Sequence, residues 1–380
     1  AAGGIEVARK GWNLYEQHQA WKEASRPNAE FFERHAADLS RLKLGGSFAP
    51  EQWPLDGAGQ ARALDAFDLM TRELGITEMR LGLRWNRLEA AGAVRLDAYN
   101  DFLDRALYGA SALCLNVGPV RVFRWPEEHL PPGLDLPEHG ATLDLDSPLT
   151  RRAVEHLERL FVALRHDYGD ALDNVRSVQV ENEPYFPLGP HRWRFSEDYL
   201  ATFARLVHAE LPRAEIMVTS AGRLNLDEVR RLFVRLERED ASFAGRLVSG
   251  FDFHYVTPLR DSVPVARHFD QISYASPFAE TLTRHVWDAR DLGFRLEVSE
   301  AQMEPYGKFT SPGNSARDFR FLLLRCFDAV LDPEAPALIR IWGLERLLMR
   351  MQTGDLTSEQ RDIIQIIQTV NQQTPPRVGT

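Results

Sequence analysis

Cysteine is scarce in this sequence: a chain of 380 residues contains two, Cys114 and Cys326. Cys114 lies in an apolar run and Cys326 in a segment with helical periodicity. We therefore interpret both as small buried hydrophobic residues rather than as redox groups or metal ligands.

Long apolar runs are also absent. None approaches the roughly 20 residues that a membrane-spanning helix needs, so no membrane partner is expected. No signal-peptide pattern stands at Ala1, and the sequence has no Asn-x-Ser/Thr acceptor site. These absences slightly favour a cytoplasmic location.

Positive charge is in the minority, with 45 Lys and Arg residues against 55 Asp and Glu and a net charge of -10. Binding to a phosphate backbone requires a clustered positive surface, so no nucleic-acid partner is expected. Histidines at metal-ligand spacing are lacking too, since only His254 lies near a predicted strand end. The sequence therefore disfavours a metal-dependent barrel hydrolase, and we predict no cofactor.

Strand-like and amphipathic helical segments alternate regularly from residue 42 onward. Eight strand-then-helix units favour a closed parallel barrel over an open sheet, so the predicted fold is α/β, a (β/α)8 TIM barrel over residues 41–380. Residues 1–40 are predicted to form an N-terminal helical extension that packs on the barrel. The predicted strands cover residues 42–48, 79–83, 113–120, 175–181, 215–219, 251–256, 294–299 and 337–342.

The fourth predicted strand runs into an unusually polar end. Pro184 cannot continue the ladder, and alternation along the strand places Gln179, Glu181 and Glu183 on one face. Buried polar groups are costly unless they are paired or have a function. Two interpretations stay open: a general acid/base, Glu183, with Asn182 binding a sugar hydroxyl, or a structural ion-pair network.

Glu300, at the end of the seventh predicted strand, is the natural partner for Glu183. Active sites of such barrels lie at the carboxyl ends of the strands, and retaining glycosidases hold two carboxyl groups about 5 Å apart. Glu300 would be the nucleophile, kept ionised by Arg80, while Glu183 would need a raised pKa to protonate the leaving oxygen. Alternation turns Glu297 to the face opposite Glu300, and Glu304 is predicted to bind substrate.

Tryptophans gather at the same predicted edge of the barrel. A flat ring can cover the apolar face of a sugar, while carboxylates and amides bond its hydroxyl groups. For any single tryptophan the alternative is packing in the core. The five concerned are Trp53, Trp85, Trp125, Trp193 and Trp342.

These motifs resemble those of the clan A glycoside hydrolases, which are retaining enzymes on a (β/α)8 barrel. Residues 180–184 resemble the Asn-Glu-Pro acid/base signature, and residues 298–300 resemble the strand-seven nucleophile motif. Residues 80–85 resemble the arginine-bearing strand two, and residues 341–343 the strand-eight tryptophan at the sugar subsite. Three further stretches, residues 47–52, 124–127 and 300–306, look like a cellulase-like bacterial branch.

The resemblance implies a retaining glycosidase with a carbohydrate substrate, but it has two departures. Asn116, Gly118 and Arg121 stand where many members have a sugar-contacting His on strand three. His254 and Tyr255 are adjacent rather than separated by one residue, and the resemblance implies Tyr255 as the nucleophile's hydrogen-bond partner. The predicted substrate-binding residues are Asn182, Arg80, Trp85, Trp125, His254, Tyr255, Glu304 and Trp342. The alternative is a barrel that binds glycans without cutting them.

Overall fold

Eight parallel strands close into a barrel in the computed structural model. Each strand pairs with its neighbour in sequence, and β1 closes the ring against β8 and β2. This confirms the predicted (β/α)8 fold. The strands are β1 (Leu42–Phe48), β2 (Glu78–Gly82), β3 (Ala112–Asn116), β4 (Val175–Gln179), β5 (Glu215–Ala221), β6 (Leu247–Phe253), β7 (Arg295–Gln302) and β8 (Ala337–Trp342).

The structure describes most of the chain. The ranges are 19–20, 22–90, 92–109, 112–221, 225–253, 255–256, 267–268, 291–292, 294–302, 315–327 and 336–373. The helix predicted over residues 279–292 lies almost entirely outside the described residues. None of the helices described is both long and apolar enough to cross a bilayer.

Nine longer helices surround the strands within the described ranges. Their first turns carry recognisable signals: Asp56 caps α2 by accepting from the Gly59 amide at 2.6 Å, and Pro148 begins α4. The helices are α1 (Asn28–Leu39), α2 (Gly57–Arg72), α3 (Asn100–Tyr108), α4 (Pro148–Tyr168), α5 (Glu197–Glu210), α6 (Leu226–Glu239), α7 (Ala316–Phe327), α8 (Glu345–Thr353) and α9 (Ser358–Gln373).

Alternation along the strands produces two buried layers, one between the strands and the helices and one inside the barrel. In β8, Ile339 and Ile341 join the large hydrophobic cluster that also contains residues of the surrounding helices, while Arg340 between them pairs with Glu297 of β7. Side chains of a strand point alternately to its two faces, so β8 serves both layers. The apolar layer lies between strands and helices, and the inside of the barrel is largely polar.

Charged residues fill the amino end of the barrel. Arg176 of β4 bonds Glu78 of β2 at 2.6 Å and Glu297 of β7 at 2.9 Å, so its guanidinium reaches across the barrel. Arg295 also bonds Glu297, at 2.8 Å, and Lys43 lies 3.3 Å from Glu78. We call this set, completed by Glu215 and Arg340, the basal network.

The segment before the barrel is helical where the structure describes it. Asn28, at the start of α1, donates to the Asp362 carbonyl at 3.0 Å and to Gln365 at 2.8 Å, both in α9. Arg320 of α7 donates to the Ala24 carbonyl at 2.8 Å. Helix α1 therefore lies against the last helices of the barrel, and the division of the chain at residue 40 stays a prediction.

Candidate active site

The polar segment after β4 leaves the strand earlier than predicted. Strand β4 ends at Gln179, and Glu181 and Glu183 have φ angles of 56° and 41°. The predicted shared face of Gln179, Glu181 and Glu183 is therefore wrong, because left-handed residues break the alternation of a strand. Non-glycine residues in this conformation cluster at functional sites, where surrounding contacts hold them.

Glu181 turns towards helix α5 instead. Its carboxylate accepts from the Tyr199 hydroxyl at 2.6 Å and from the backbone amides of Arg121 and Val120 at 2.5 and 3.3 Å. Burial raises the pKa of Glu181 to about 7, although these three donors oppose the shift. Gly118 packs against the backbone of Glu181, because a Cβ at residue 118 would lie 2.5 Å from the Glu181 Cα.

Glu183 lies at the carboxyl end of the barrel with its backbone tied to β5. Its amide donates to Thr219 Oγ1 at 2.8 Å, and its side chain is almost fully buried. The neighbouring Asn182 accepts from Gln179 Nε2 at 2.9 Å and donates to Glu127 Oε2 at 2.9 Å. Gln179 therefore supports Asn182, whose amide is oriented from both ends.

Glu300 faces the inside of the barrel because β7 contains a bulge. Val298 pairs with Ile339 and Ala301 with Ile341, so β7 has one more residue than β8 over this interval. The extra residue lets Ser299 and Glu300 both bond groups inside the barrel, on Asp252 and Arg80.

The bulge also overturns the prediction for Glu297. Its carboxylate contacts Arg340 and reaches Arg176 across the barrel, so Glu297 and Glu300 both point inward. The bulge shifts the alternation by one position between them. Glu297 belongs to the basal network and not to the carboxyl end.

Arg80 holds the end of β7 in place. The guanidinium is completely buried, donates to the Ser299 carbonyl at 3.0 Å and forms an ion pair with Glu300. It also lies 4.1 Å above the centre of the Phe123 ring. The ion pair expected from the sequence is therefore present, and it places a buried positive charge beside the Glu300 carboxyl group.

Two more buried carboxyl groups, those of Glu127 and Asp252, lie near Glu183 and Glu300. Burial, together with the negative charges of Glu300 and Glu183, raises the pKa of Glu127 to about 8. The same causes raise the pKa of Asp252 well above its ordinary value. Ser299 Oγ donates to Asp252 Oδ1 at 2.5 Å, and Asp252 Oδ2 has no hydrogen-bond partner among the described residues. Four buried carboxyl groups therefore lie near one another at this end of the barrel.

Sequence reasoning assigned no role to Glu127 or Asp252. Asp252 follows Val248 and Gly250 at every second position of β6, so its inward direction could have been predicted from the strand alone. Glu127 is the last residue of a tight turn over residues 124–127, in which Arg124 and Glu127 have φ angles of 89° and 72°. Sequence periodicity did not predict that turn.

The predicted aromatic residues divide into exposed and buried rings. Trp125 is 60% exposed, and Trp342, 8% exposed, carries the Arg124 guanidinium 4.6 Å above its ring. Trp85 is fully buried, stacks on His156 at 4.8 Å and donates to Glu89, so it has no ring face to offer a sugar. Trp53 and Trp193 are buried against Phe48 and His191.

Three predicted substrate-binding residues lack a described side chain. His254 and Glu304 lie outside the described residues. Tyr255 has a described backbone only, in a short antiparallel pair with His268. Their roles stay predictions.

The arginines near the candidate site all have protein partners. Arg84 lies 3.5 Å from Glu51, Arg124 bonds Glu345 at 2.6 Å, and Arg121 bonds backbone carbonyls. Among the described residues there is no group of three or more His, Cys, Asp or Glu side chains that could hold a metal ion.

Comparison with known proteins gives a likeness in fold. No family model matches the chain, and no curated protein matches it in sequence. A GH5 family lichenase from Caldicellulosiruptor sp. F32 superimposes with a TM-score of 0.54 at 10% identity, over 88% of this chain and 94% of that one. The GH39 enzyme from Xanthomonas axonopodis pv. citri gives 0.50 at 12% identity, over 80% of this chain and 58% of that one. The chain therefore shares the barrel fold of these glycoside hydrolases.

Proposed function

We propose that this protein is a retaining glycoside hydrolase with Glu183 as the acid/base and Glu300 as the nucleophile. One observation carries the proposal: Arg80 forms a buried ion pair with Glu300, and the charges of Glu300 and Glu183 both raise the pKa of the buried Glu127. The two carboxyl groups therefore lie near the same buried residue. A carboxylate kept anionic beside a second carboxyl group is the arrangement that double displacement requires.

The reaction would proceed in two steps. Glu300 attacks the anomeric carbon while Glu183 gives its proton to the leaving oxygen, and a glycosyl–enzyme ester forms. The charge of a nucleophile favours a proton on the neighbouring acid until that ester neutralises it. Glu183 then takes a proton from water, which cleaves the ester with overall retention.

Substrate binding is proposed for residues around this pair. Asn182 lies beside Glu183, and hydrogen bonds to Gln179 and Glu127 orient its amide. An amide fixed in this way can form a directed hydrogen bond to a sugar hydroxyl. Trp125 offers an exposed ring at the rim for the apolar face of a sugar. Trp342 is proposed to bind the sugar as well, whereas Trp85 is not, because its ring is fully buried.

The test is azide rescue of two variants on a panel of aryl glycosides. Glu183→Ala and Glu300→Ala should each fold and lose most hydrolysis, about 100-fold or more. Added azide should restore turnover in both and give glycosyl azides of opposite anomeric configuration, which proton NMR distinguishes. Glu155→Ala, an exposed change on α4, is the control for folding and assay.

Three results would contradict the proposal. Near-normal activity of Glu183→Ala on a poor leaving group would remove the acid/base assignment. A first product with inverted configuration would remove the retaining mechanism. Tight glycan binding by the wild type without turnover of any glycoside would favour the non-catalytic barrel.

A further inference from the structure

Arg121 is a fully buried arginine whose side chain bonds only backbone carbonyls among the described residues. Nη1 donates to the carbonyls of Glu183 and Phe186 at 3.1 and 2.8 Å. Nη2 donates to the carbonyls of Leu188, at 2.7 Å, and Trp193. All four acceptors belong to residues 183–193, which we call the post-strand loop.

The loop is folded around this guanidinium. Within it the Phe186 amide donates to the Glu183 carbonyl at 3.0 Å and the Leu188 amide to the Phe186 carbonyl at 2.9 Å, so two carbonyls serve both the turn and Arg121. Only arginine presents five donors in a fixed planar fork. Removing the fork would leave the Leu188 and Trp193 carbonyls without the donor that Arg121 supplies. A buried carbonyl that loses its partner costs about 1–3 kcal/mol.

The same residue also holds the other side of the Asn182–Glu183 dipeptide. The Arg121 backbone amide donates to Glu181 at 2.5 Å, while its side chain holds the Glu183 carbonyl. The amide of Glu183 is held by Thr219, so both peptide groups of Glu183 are fixed. Glu183 adopts a left-handed φ of 41°, a conformation that persists only where its surroundings determine it.

We propose that Arg121 is a positioning residue that sets the direction of the Glu183 carboxyl group by holding the post-strand loop. The proposal rests on the proposed function, because it assumes that Glu183 is the acid/base. Arg121 touches neither the substrate nor the reacting atoms. It acts on catalysis through the backbone of Glu183.

Such a role gives a kinetic signature that depends on the leaving group. Proton donation matters for a poor leaving group such as an alkoxide, and contributes about 100- to 10,000-fold. A dinitrophenolate leaves without help from an acid. A misplaced Glu183 therefore slows cleavage of alkyl glycosides and spares dinitrophenyl glycosides, whereas general structural damage slows both.

The first measurement is kcat/KM of Arg121→Lys on matched dinitrophenyl and alkyl glycosides of the sugar found with the aryl panel. We expect a loss of about 100-fold on the alkyl glycoside and less than about 3-fold on the dinitrophenyl glycoside. Arg320→Lys is the matched control, because Arg320 is also a buried arginine that bonds a backbone carbonyl, that of Ala24. Equal losses on both substrates, or none, would overturn the proposal.

The second measurement does not need a substrate. Hydrogen exchange of the Phe186 and Leu188 amides should accelerate at least 10-fold in Arg121→Lys and stay unchanged in Arg320→Lys. Unchanged exchange in Arg121→Lys would overturn the proposal whatever the activity. If the wild type cleaves no glycoside, the proposed function fails, and exchange alone decides whether Arg121 holds the loop.

Arg121→Gln serves as a second variant that keeps two amide donors on a shorter side chain. It should fold and show the same dependence on leaving group. If neither Arg121 variant folds while Arg320→Lys does, Arg121 is required for the fold itself, and the positioning role is rejected.

Discussion

At the scale of single residues, left-handed backbone conformations mark the candidate site. Among the described residues, the non-glycine positions with positive φ are Arg124, Glu127, Glu181, Glu183 and Arg192. Each costs on the order of 1–3 kcal/mol, so the surrounding hydrogen bonds must offset it. These positions lie in the two segments that follow β3 and β4, and the strain therefore coincides with the proposed chemistry.

Glu127 should give the protein a measurable pH dependence of stability. Burial and the charges of Glu300 and Glu183 raise its pKa from 4.5 to about 8. The folded state then keeps a proton that the unfolded state loses, so the wild type loses stability as pH rises from about 4.5 to about 8. Glu127→Gln carries no proton to titrate, and its stability relative to the wild type should improve over that interval by roughly 2–5 kcal/mol.

Urea unfolding at pH 5 and at pH 8.5 measures this difference. Glu155→Gln on the exposed face of α4 controls for the loss of one carboxylate. Parallel changes in the free energy of unfolding for the wild type and Glu127→Gln would show that Glu127 ionises in the folded protein as it does when unfolded.

At the scale of the element, strand ends were predicted less well than strands. The bounds of β1 and β8 follow from their apolar runs, and they agree with the prediction. Strands β3 and β4 end four and two residues earlier than predicted, at Asn116 and Gln179. Polar residues there continue an alternating pattern, but the turns that follow depend on contacts between distant segments.

Gly118, in the turn after β3, should not tolerate a side chain, because its backbone packs closely against another segment. A Cβ there would lie 2.5 Å from the Glu181 Cα and 2.6 Å from the Arg121 carbonyl oxygen, both backbone atoms. Gly118→Ala should therefore lower the free energy of unfolding by about 1–3 kcal/mol and displace the segment that carries Glu183. Urea unfolding and activity on an alkyl glycoside would show the two effects.

Gly57→Ala is the matched control, because a Cβ at the start of α2 meets no atom within 4 Å. Alanine there should leave the free energy of unfolding equal or slightly higher. If Gly118→Ala behaves like Gly57→Ala, the backbone of residues 118–121 moves more easily than these contacts indicate.

At the scale of the whole molecule, the basal network and the candidate active site lie at opposite ends of the barrel. Burial alone would raise the pKa of Glu297, but Arg340, Arg295 and Arg176 together lower it to about 2. A lowered pKa contributes stability that is present above about pH 4.5 and is lost as pH falls towards 2. The basal network should therefore make acid denaturation steep.

Glu297→Gln tests this contribution. The change leaves three arginines without their shared carboxylate and should cost about 3–5 kcal/mol at pH 7. The difference from the wild type should shrink as pH falls below 4.5, because the wild type loses the same charge. Thermal unfolding across pH 2.5–7 measures it, and Glu155→Gln, which removes an exposed partner of Arg152, should change little. A difference that is independent of pH would contradict the assigned pKa.

Hydrophobic periodicity is a local property of the chain, and it was enough to predict the order of strands and helices. The sequence also predicts that Glu183 and Glu300 lie near the carboxyl ends of β4 and β7, and the structure has them just after β4 and within the last residues of β7. Three features became visible only in the folded protein: the bulge that turns Glu300 inward, the burial of Trp85, and the closeness of Glu127 and Asp252 to Glu183 and Glu300. These features depend on contacts between residues far apart in the chain, which no local pattern records.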